Sequence, residues 1–260
     1  MTEKLWADIK TEISEQLLHE PELANYLSKR ILQHDTLESA ISDLLSRKLA
    51  SEEVSAGTLK QVFDEALFAD AQIINAITND LRATRQRDPA VQYYSSAILY
   101  FKGFQALQAY RFGHWLWQQE RHNLALYLQS RVSEVFCVDI HPAAQIGSGI
   151  LVDHATAIVI GETSVLEDNI SIMQAVTLGG TGKECGDRHP KIRTGVLIGA
   201  GANIIGNVNI GAGAKIGAGS VVLNDVAAHT TVAGVPAVVV GKPRGEQPAL
   251  DMNHDLNLGD

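Results

Sequence analysis

Residues 196–222 read VLIGAGANIIGNVNIGAGAKIGAGSVV. An aliphatic recurs every sixth position at Ile198, Ile204, Ile210, Ile216 and Val222, and Gly199, Gly211 and Gly217 directly follow three of them. A period of six is too long for one face of a helix and too short for a helix-pair repeat. A short strand and a corner every six residues places one aliphatic per face inside a triangular coil. Three hexapeptides then make a turn of 18 residues, with coils stacked at the strand spacing of ~4.8 Å. The same spacing runs upstream through Ile140, Ile146, Val152, Ile158, Ser164, Ile170 and Val176, so eleven of these twelve positions are Ile or Val. The two registers are out of phase, because 198 minus 176 is 22. A segment must therefore loop out. Gly182–Arg193 is polar, charged and without aliphatic period, and is read as that loop.

The rest of the chain is built differently. Residues 1–135 hold three glycines, and residues 136–260 hold nineteen. Long helices exclude glycine, whereas tight turns recruit it. Leu5, Ile9, Ile13 and Leu17 recur at helical spacing, and further helices are expected near 36–49, 58–68, 70–83, from Pro89, over Ser96–Gln119 and over Leu124–Phe136. The predicted organisation is α+β. A helical domain spans 1–138, a parallel β-helix spans 139–243, and a polar tail, read as mobile, spans 244–260.

Composition narrows the function. The chain has 260 residues, 45% hydrophobic and 20% charged, with 21 Lys+Arg against 30 Asp+Glu. A net charge of −9 argues against nucleic acid or an anionic membrane as the main partner, but not against a small anionic ligand. No apolar run approaches a membrane span, and the N-terminus lacks the core of a signal peptide. Two cysteines, Cys137 and Cys185, are too few for a disulfide scaffold. A cytoplasmic protein with reduced thiols is expected.

Several motifs go beyond the repeat: Arg87-Asp-Pro-Ala90, Asp139-Ile-His-Pro-Ala143, Asp153-His-Ala-Thr156, Gly161-Glu-Thr-Ser-Val165, Thr177-Leu-Gly-Gly-Thr-Gly-Lys183, Gly186-Asp-Arg-His-Pro190 and Ala233-Gly-Val-Pro-Ala237. Together they closely resemble bacterial serine O-acetyltransferases, within the hexapeptide-repeat acyltransferases. The resemblance covers nearly the whole chain. It implies a left-handed β-helix, an exception to the usual crossover hand that the sequence itself cannot give. It also implies acetyl transfer from acetyl-CoA to L-serine without an acyl-enzyme, and no permanently bound cofactor or metal.

O-acetylation needs a base for the hydroxyl, a group that orients the base, donors for the oxyanion and charges that hold the amino acid. His154 follows Val152 at a predicted corner; a lone corner histidine is by default merely solvated, but the resemblance makes it the catalytic base. Asp139 is expected to orient it, since residue 157, one 18-residue coil on, lies three past His154; the bland alternative is a cap where the coil begins. Asp88 precedes Pro89 and from sequence alone reads as a helix N-cap. The resemblance assigns Asp88 and Asp153 to the serine. Arg188 and His189 lie in the looped-out segment, where a guanidinium suits the serine α-carboxylate. Small residues at Gly180, Thr181, Gly199, Ala200, Ala218 and Gly219 leave room for a pantetheine arm, and Lys215 and Lys242 are candidates for its phosphates.

Other readings are a sugar or antibiotic acetyltransferase on the same coil, a non-catalytic assembly protein, and a zinc hydratase. The last needs two histidines five residues apart, and none of the nine histidines are so spaced. The resemblance further implies trimers paired into a hexamer and inhibition by L-cysteine at the serine site. It also implies a C-terminal isoleucine that docks into O-acetylserine sulfhydrylase. This sequence ends Leu258-Gly259-Asp260, so that partner is expected to bind weakly.

Overall fold

The computed structural model describes residues 2–182 and 185–256. The expectation about Leu258–Asp260 lies outside the described residues.

The helical half opens with α1 (Thr2–Gln16), whose Leu5, Trp6, Ile9 and Ile13 are buried. The short α2 (Ala24–Leu27) runs on into a π-turn, Ser28–Leu32. Then come α3 (Leu37–Leu49), α4 (Ala56–Ala69) and α5 (Ala71–Arg87). The side chains of Thr36, Ser55 and Asp70 cap these three, each accepting a backbone N–H of the first turn. Pro89 starts no helix: Asp88 instead closes α5, and α6 (Tyr94–Tyr100) begins five residues later. The stretch expected as one helix over Ser96–Gln119 breaks at Phe101, where the backbone is extended, giving α6 and α7 (Lys102–Gln118). The last is α8 (His122–Phe136).

The β-helix follows at once. Its first face stacks β1 (Val138–Ile140), β4 (Ile158–Ile160), β7 (Thr177–Gly179), β10 (Asn203–Ile205) and β13 (Val221–Val222). The second stacks β2 (Gln145–Ile146), β5 (Val165–Leu166), β8 (Lys191–Ile192) and β11 (Asn209–Ile210). The third stacks β3 (Leu151–Val152), β6 (Ser171–Ile172), β9 (Leu197–Ile198), β12 (Lys215–Ile216) and β14 (Thr231–Gly234); the antiparallel β15 (Ala237–Gly241) closes it. All other pairs are parallel.

The register corrects the reading of the repeat. Ile140 stacks on Ile160, and Ile160 on Leu178; Val152 stacks on Ile172, and Ile172 on Ile198. The stacked position thus steps eight residues from Val152 to Ile160 and fourteen from Leu178 to Ile192. The phase difference of four is therefore shared between a two-residue insertion and an eight-residue loop, each shifting the phase by two modulo six, and the loop accounts for only half of it. Ile158, Ser164, Ile170 and Val176 sit two places before the stacked residues and are buried as a second inward position. This is why the slip is invisible to a search for aliphatics every sixth residue. The coil also resumes earlier than expected: Lys191–Ile192 is a strand, with Ile192 fully buried.

A buried ion pair ties the two halves together. Asp80 on α5 accepts from Arg111 of α7 (Nη2, 2.6 Å) and from Ile150 N–H (2.9 Å), while Arg111 Nη2 also donates to Gly147 O (2.8 Å). Residues 244–256, expected as a mobile tail, fold back onto the coil. A short helix α9 (Pro248–Asp251) buries Pro248 and Ala249. Ser171 Oγ donates to Ala249 O (2.8 Å), and Ala249 N–H to Gly195 O (3.2 Å). Among the described residues no helix is long and apolar enough to cross a membrane.

Candidate active site

The first slip falls at the corner between β3 and β4, and it carries His154. The two extra residues are absorbed in left-handed backbone, with φ of 55° at His154, 63° at Ala155 and 63° at Ala157. Ala155 N–H donates to Asp153 O (2.6 Å) and Thr156 N–H to His154 O (2.8 Å), two successive three-residue turns. Turns of this hand are rare and strained and persist only where the surroundings hold them. Here Ala157 N–H donates to Cys137 O and Ala175 N–H to Thr156 O, both at 2.8 Å. The N-terminus of α7 supports the corner from outside. A Cβ at Gly103 would lie 2.1 Å from Val152 O, so only glycine permits this approach, and Lys102 Nζ donates to Thr156 Oγ1.

The corner pushes the His154 side chain outward, where it is 70% exposed, with Nε2 3.9 Å from Asp153 Oδ2. Burial raises the Asp153 carboxyl above the usual carboxylate range; His154 and His254 oppose the shift and Asp88 adds to it. Asp88, His154 and the tail's His254 therefore all lie near the Asp153 carboxyl. Asp88 is no N-cap: its Oδ1 accepts from Ala90 N–H (2.8 Å) in a turn after α5. Its neighbour Arg87 is buried and fixes that turn to the coil, donating to Ile170 O (3.2 Å) and Ser171 Oγ (3.1 Å).

Asp139 is not joined to His154 within the chain. The slip places Val159, not Ala157, opposite it, and its carboxylate accepts from Gln129 Nε2 (2.6 Å). Arg188 and His189 lie at the other edge of the first face, between β7 and β8. There Arg188 Nη2 donates to Glu162 Oε2 (2.6 Å). The charges acting on His141 are Glu162, Asp139 and Arg188, so this edge forms a second polar cluster. The chain thus presents the expected residues as two half-sites.

Gly199, Ala200, Ala218 and Gly219 stack beneath the His154 corner at the same edge, with Gly219 N–H donating to Ala200 O (2.7 Å). Gln174 at this edge has a buried Oε1 without a partner among the described residues. Gly180 and Thr181 belong to the other edge. Lys215 and Lys242 line a cavity of about 250 Å³ shared with Arg244, Asn253 and Asp255, and Lys215 Nζ donates to Asp255 O. The tail therefore lies over the lysines expected to meet phosphates. Among the described residues no three His, Cys, Asp or Glu side chains are grouped to hold a metal ion.

Sequence reasoning gave no role to Glu162 and Thr163, although it singled out Gly161-Glu-Thr-Ser-Val165. It also missed Lys102, Gly103, Gln174 and His254. A glycine inside a helix next to a lysine was the available signal for the α7 contact.

Comparison with known proteins gives the following. The family "Serine acetyltransferase, N-terminal" matches residues 5–109, and "Bacterial transferase hexapeptide (six repeats)" matches residues 189–224. Serine acetyltransferase of Salmonella typhimurium is 56% identical over 255 residues, 98% of this chain and 93% of its own. A crystal structure of serine acetyltransferase from Vibrio cholerae superposes with a TM-score of 0.97 at 54% identity, covering 99% of this chain and 100% of that one. A serine acetyltransferase in complex with cysteine superposes at 0.96 with 52% identity, covering 98% and 99%. The Brucella abortus serine acetyltransferase in complex with coenzyme A superposes at 0.90 with 49% identity, covering 92% and 96%.

Proposed function

The chain belongs to the serine acetyltransferase family, an acyltransferase family that uses acetyl-CoA, and from that premise we propose how its residues carry the acetyl group to the hydroxyl of L-serine. The observation that carries the reading is the outward-facing His154 on a strained two-residue insertion, with the Asp153 carboxylate beside it and Asp88 near enough to act on Asp153.

His154 takes the serine hydroxyl proton as the oxygen attacks the thioester carbonyl. The tetrahedral intermediate collapses with cleavage of the C–S bond, and the imidazolium returns the proton to the departing CoA sulfur. The acetyl group moves in one transfer. Neither Cys137 nor Cys185 is placed in a nucleophile–base pair by the contacts described above. An ammonium beside Asp88 and Asp153 offsets the burial, and the lesser repulsion from Asp88, that raise Asp153. The pantetheine arm runs along the small-residue edge below His154, with Gln174 Oε1 offering an acceptor. Docking of CoA phosphates at Lys215 requires the tail to release it.

Arg188, His189 and Asp139 complete the site from a second copy of the chain. The other edge of that copy's first face meets the His154 corner, Arg188 holds the amino-acid carboxylate, and Asp139 orients the base. Trimers around the β-helices, paired through the helical domains into hexamers, follow. The exposed Val159 on the first face, Leu18 in the turn after α1 and Tyr100 at the end of α6 support such contacts. L-cysteine has the same ammonium and carboxylate as serine, so it competes at this site and inhibits the first step of cysteine synthesis.

Free-thiol release from acetyl-CoA, followed with L-serine, L-threonine and sugar alcohols, tests the assignment. Release with L-serine that disappears in His154→Ala is expected. Release that prefers a sugar alcohol overturns the substrate, and an active His154→Ala overturns the base.

A further inference from the structure

Thr163 sits directly after Glu162 at the edge that carries Arg188 and His189. Its Oγ1 accepts two backbone N–H groups, from Arg188 (3.0 Å) and from His189 (3.1 Å). With both acceptor directions used, its one hydroxyl proton is left for an acceptor: His189 Nδ1 lies 2.9 Å away, and the Asp187 carboxylate is also within its reach. The Thr163 backbone N–H faces the same nitrogen at 3.2 Å. A backbone N–H only donates, so Nδ1 is an acceptor and carries no proton. The ring hydrogen is then on Nε2. That nitrogen fits a slot that side chains would fill: a Cβ at Gly161 would lie 2.0 Å from it, and one at Gly180 3.1 Å. Lys191 Nζ braces the same turn from below, donating to Thr163 O and His189 O, each at 2.8 Å.

We infer that Thr163 is a positioning residue of the amino-acid site, which fixes the Arg188–His189 backbone and locks His189 as the Nε2–H tautomer, a neutral hydrogen-bond donor rather than a cation. The inference rests on the reading that His189 meets the substrate. Burial, reinforced by Arg188, holds the His189 pKa below the ordinary histidine range, in the same sense. The division of labour is chemical: Arg188 supplies the charge for a carboxylate, and His189 supplies direction without adding a second desolvated cation. His141 on the same edge is held alike, with its Nδ1 accepting from Ala143 N–H (3.1 Å).

The test is nitrogen NMR of the assembled full-length enzyme labelled with [15N]histidine, with His189→Asn used to identify the His189 signals. At pH 7.5 His189 should show an unprotonated Nδ1 and a protonated Nε2; an Nδ1–H tautomer or an imidazolium overturns the inference. In kinetics, Thr163→Val should raise KM for serine roughly tenfold, the weight of a lost hydrogen bond to a charged group, with KM for acetyl-CoA unchanged. Thr163→Ser should restore it. An unchanged serine KM in Thr163→Val, with the fold intact by circular dichroism, also overturns the inference. Should the valine variant not fold, the tautomer of the wild-type enzyme still decides. An unchanged serine KM in His189→Asn removes the substrate reading and this inference with it, whereas a wrong tautomer beside a raised KM overturns the inference alone.

Discussion

Replacing Gly103 by alanine tests whether the helical half positions the His154 corner. In an ordinary helix Gly→Ala stabilises by roughly 0.5–1 kcal/mol, because the chain loses less backbone freedom on folding. Here the new Cβ lies 2.1 Å from Val152 O and 3.1 Å from Ala155 Cβ. Both neighbours belong to the coil, one a carbonyl and the other a methyl on left-handed backbone, so neither has a rotamer through which to yield. The N-terminus of α7 must retreat by about 1 Å, the gap between this distance and normal contact. Overpacking of this kind costs about 1–3 kcal/mol, which outweighs the helix-propensity gain. The melting temperature should therefore fall by a few degrees, at roughly 2–4 °C per kcal/mol for a chain of this size. Turnover should fall further, because a displacement of 1 Å in a reacting group costs on the order of 10²-fold. Thermal melts and thiol release measured on one preparation separate the two effects. Lys102→Met is the control: it removes the Thr156 contact without a clash and should lower turnover less. A Gly103→Ala enzyme with unchanged stability refutes the contact. One that melts lower but turns over normally refutes the link between the corner and catalysis.

His154→Ala should lower turnover by ~10²–10⁴, the usual weight of general-base catalysis, and Asp139→Asn by less, while acetyl-CoA binding by calorimetry survives. Arg111→Met strands the buried Asp80 carboxylate and should cost about 3–5 kcal/mol in urea unfolding. Burial holds His141, His189 and His254 below the ordinary histidine range, so the unfolded chain binds protons that the folded chain refuses. Stability from these groups is complete above about pH 6.5 and declines as pH falls below it, which urea midpoints at pH 7.5 and 5.8 would show.

The fold was legible because its core is periodic. A coil that buries one aliphatic per face must repeat every six residues, and the helices must exclude the glycines that the coil corners need. The site was legible only in part. His154 lies beside Asp153, and Asp88 is near enough to act on Asp153, but that placement depends on contacts that no local pattern carries. Asp88-Pro89 has the letters of a helix start and forms a helix end, because Arg87 anchors α5 to Asn169, Ile170 and Ser171 of the second coil. The tail has the composition of a mobile segment. It docks because Ala249 and Pro248 find a dry surface on the coil and Ser171 supplies a donor.

The two slips in the repeat explain why chemistry gathers where it does. A regular corner of this coil turns in the fewest residues and leaves side chains close against the face. Two extra residues between Val152 and Ile160 cannot be absorbed inside, where Ile158 and Ile160 must both remain buried. They are accommodated in left-handed backbone, which buries Ala155 and turns His154, Thr156 and Ala157 outward. The second slip, between Leu178 and Ile192, extrudes a longer loop and brings Arg188 and His189 back against Glu162 and Thr163. Both slips leave the stacking aligned, since Val152 still meets Ile172 and Leu166 still meets Ile192. The strain of such an insertion stays local because the ladder closes on either side of it. Deleting the exposed Thr156 and Ala157 together should therefore preserve the coil while displacing His154. A folded, inactive variant is expected by circular dichroism and thiol release. A variant that unfolds would show instead that the corner belongs to the scaffold.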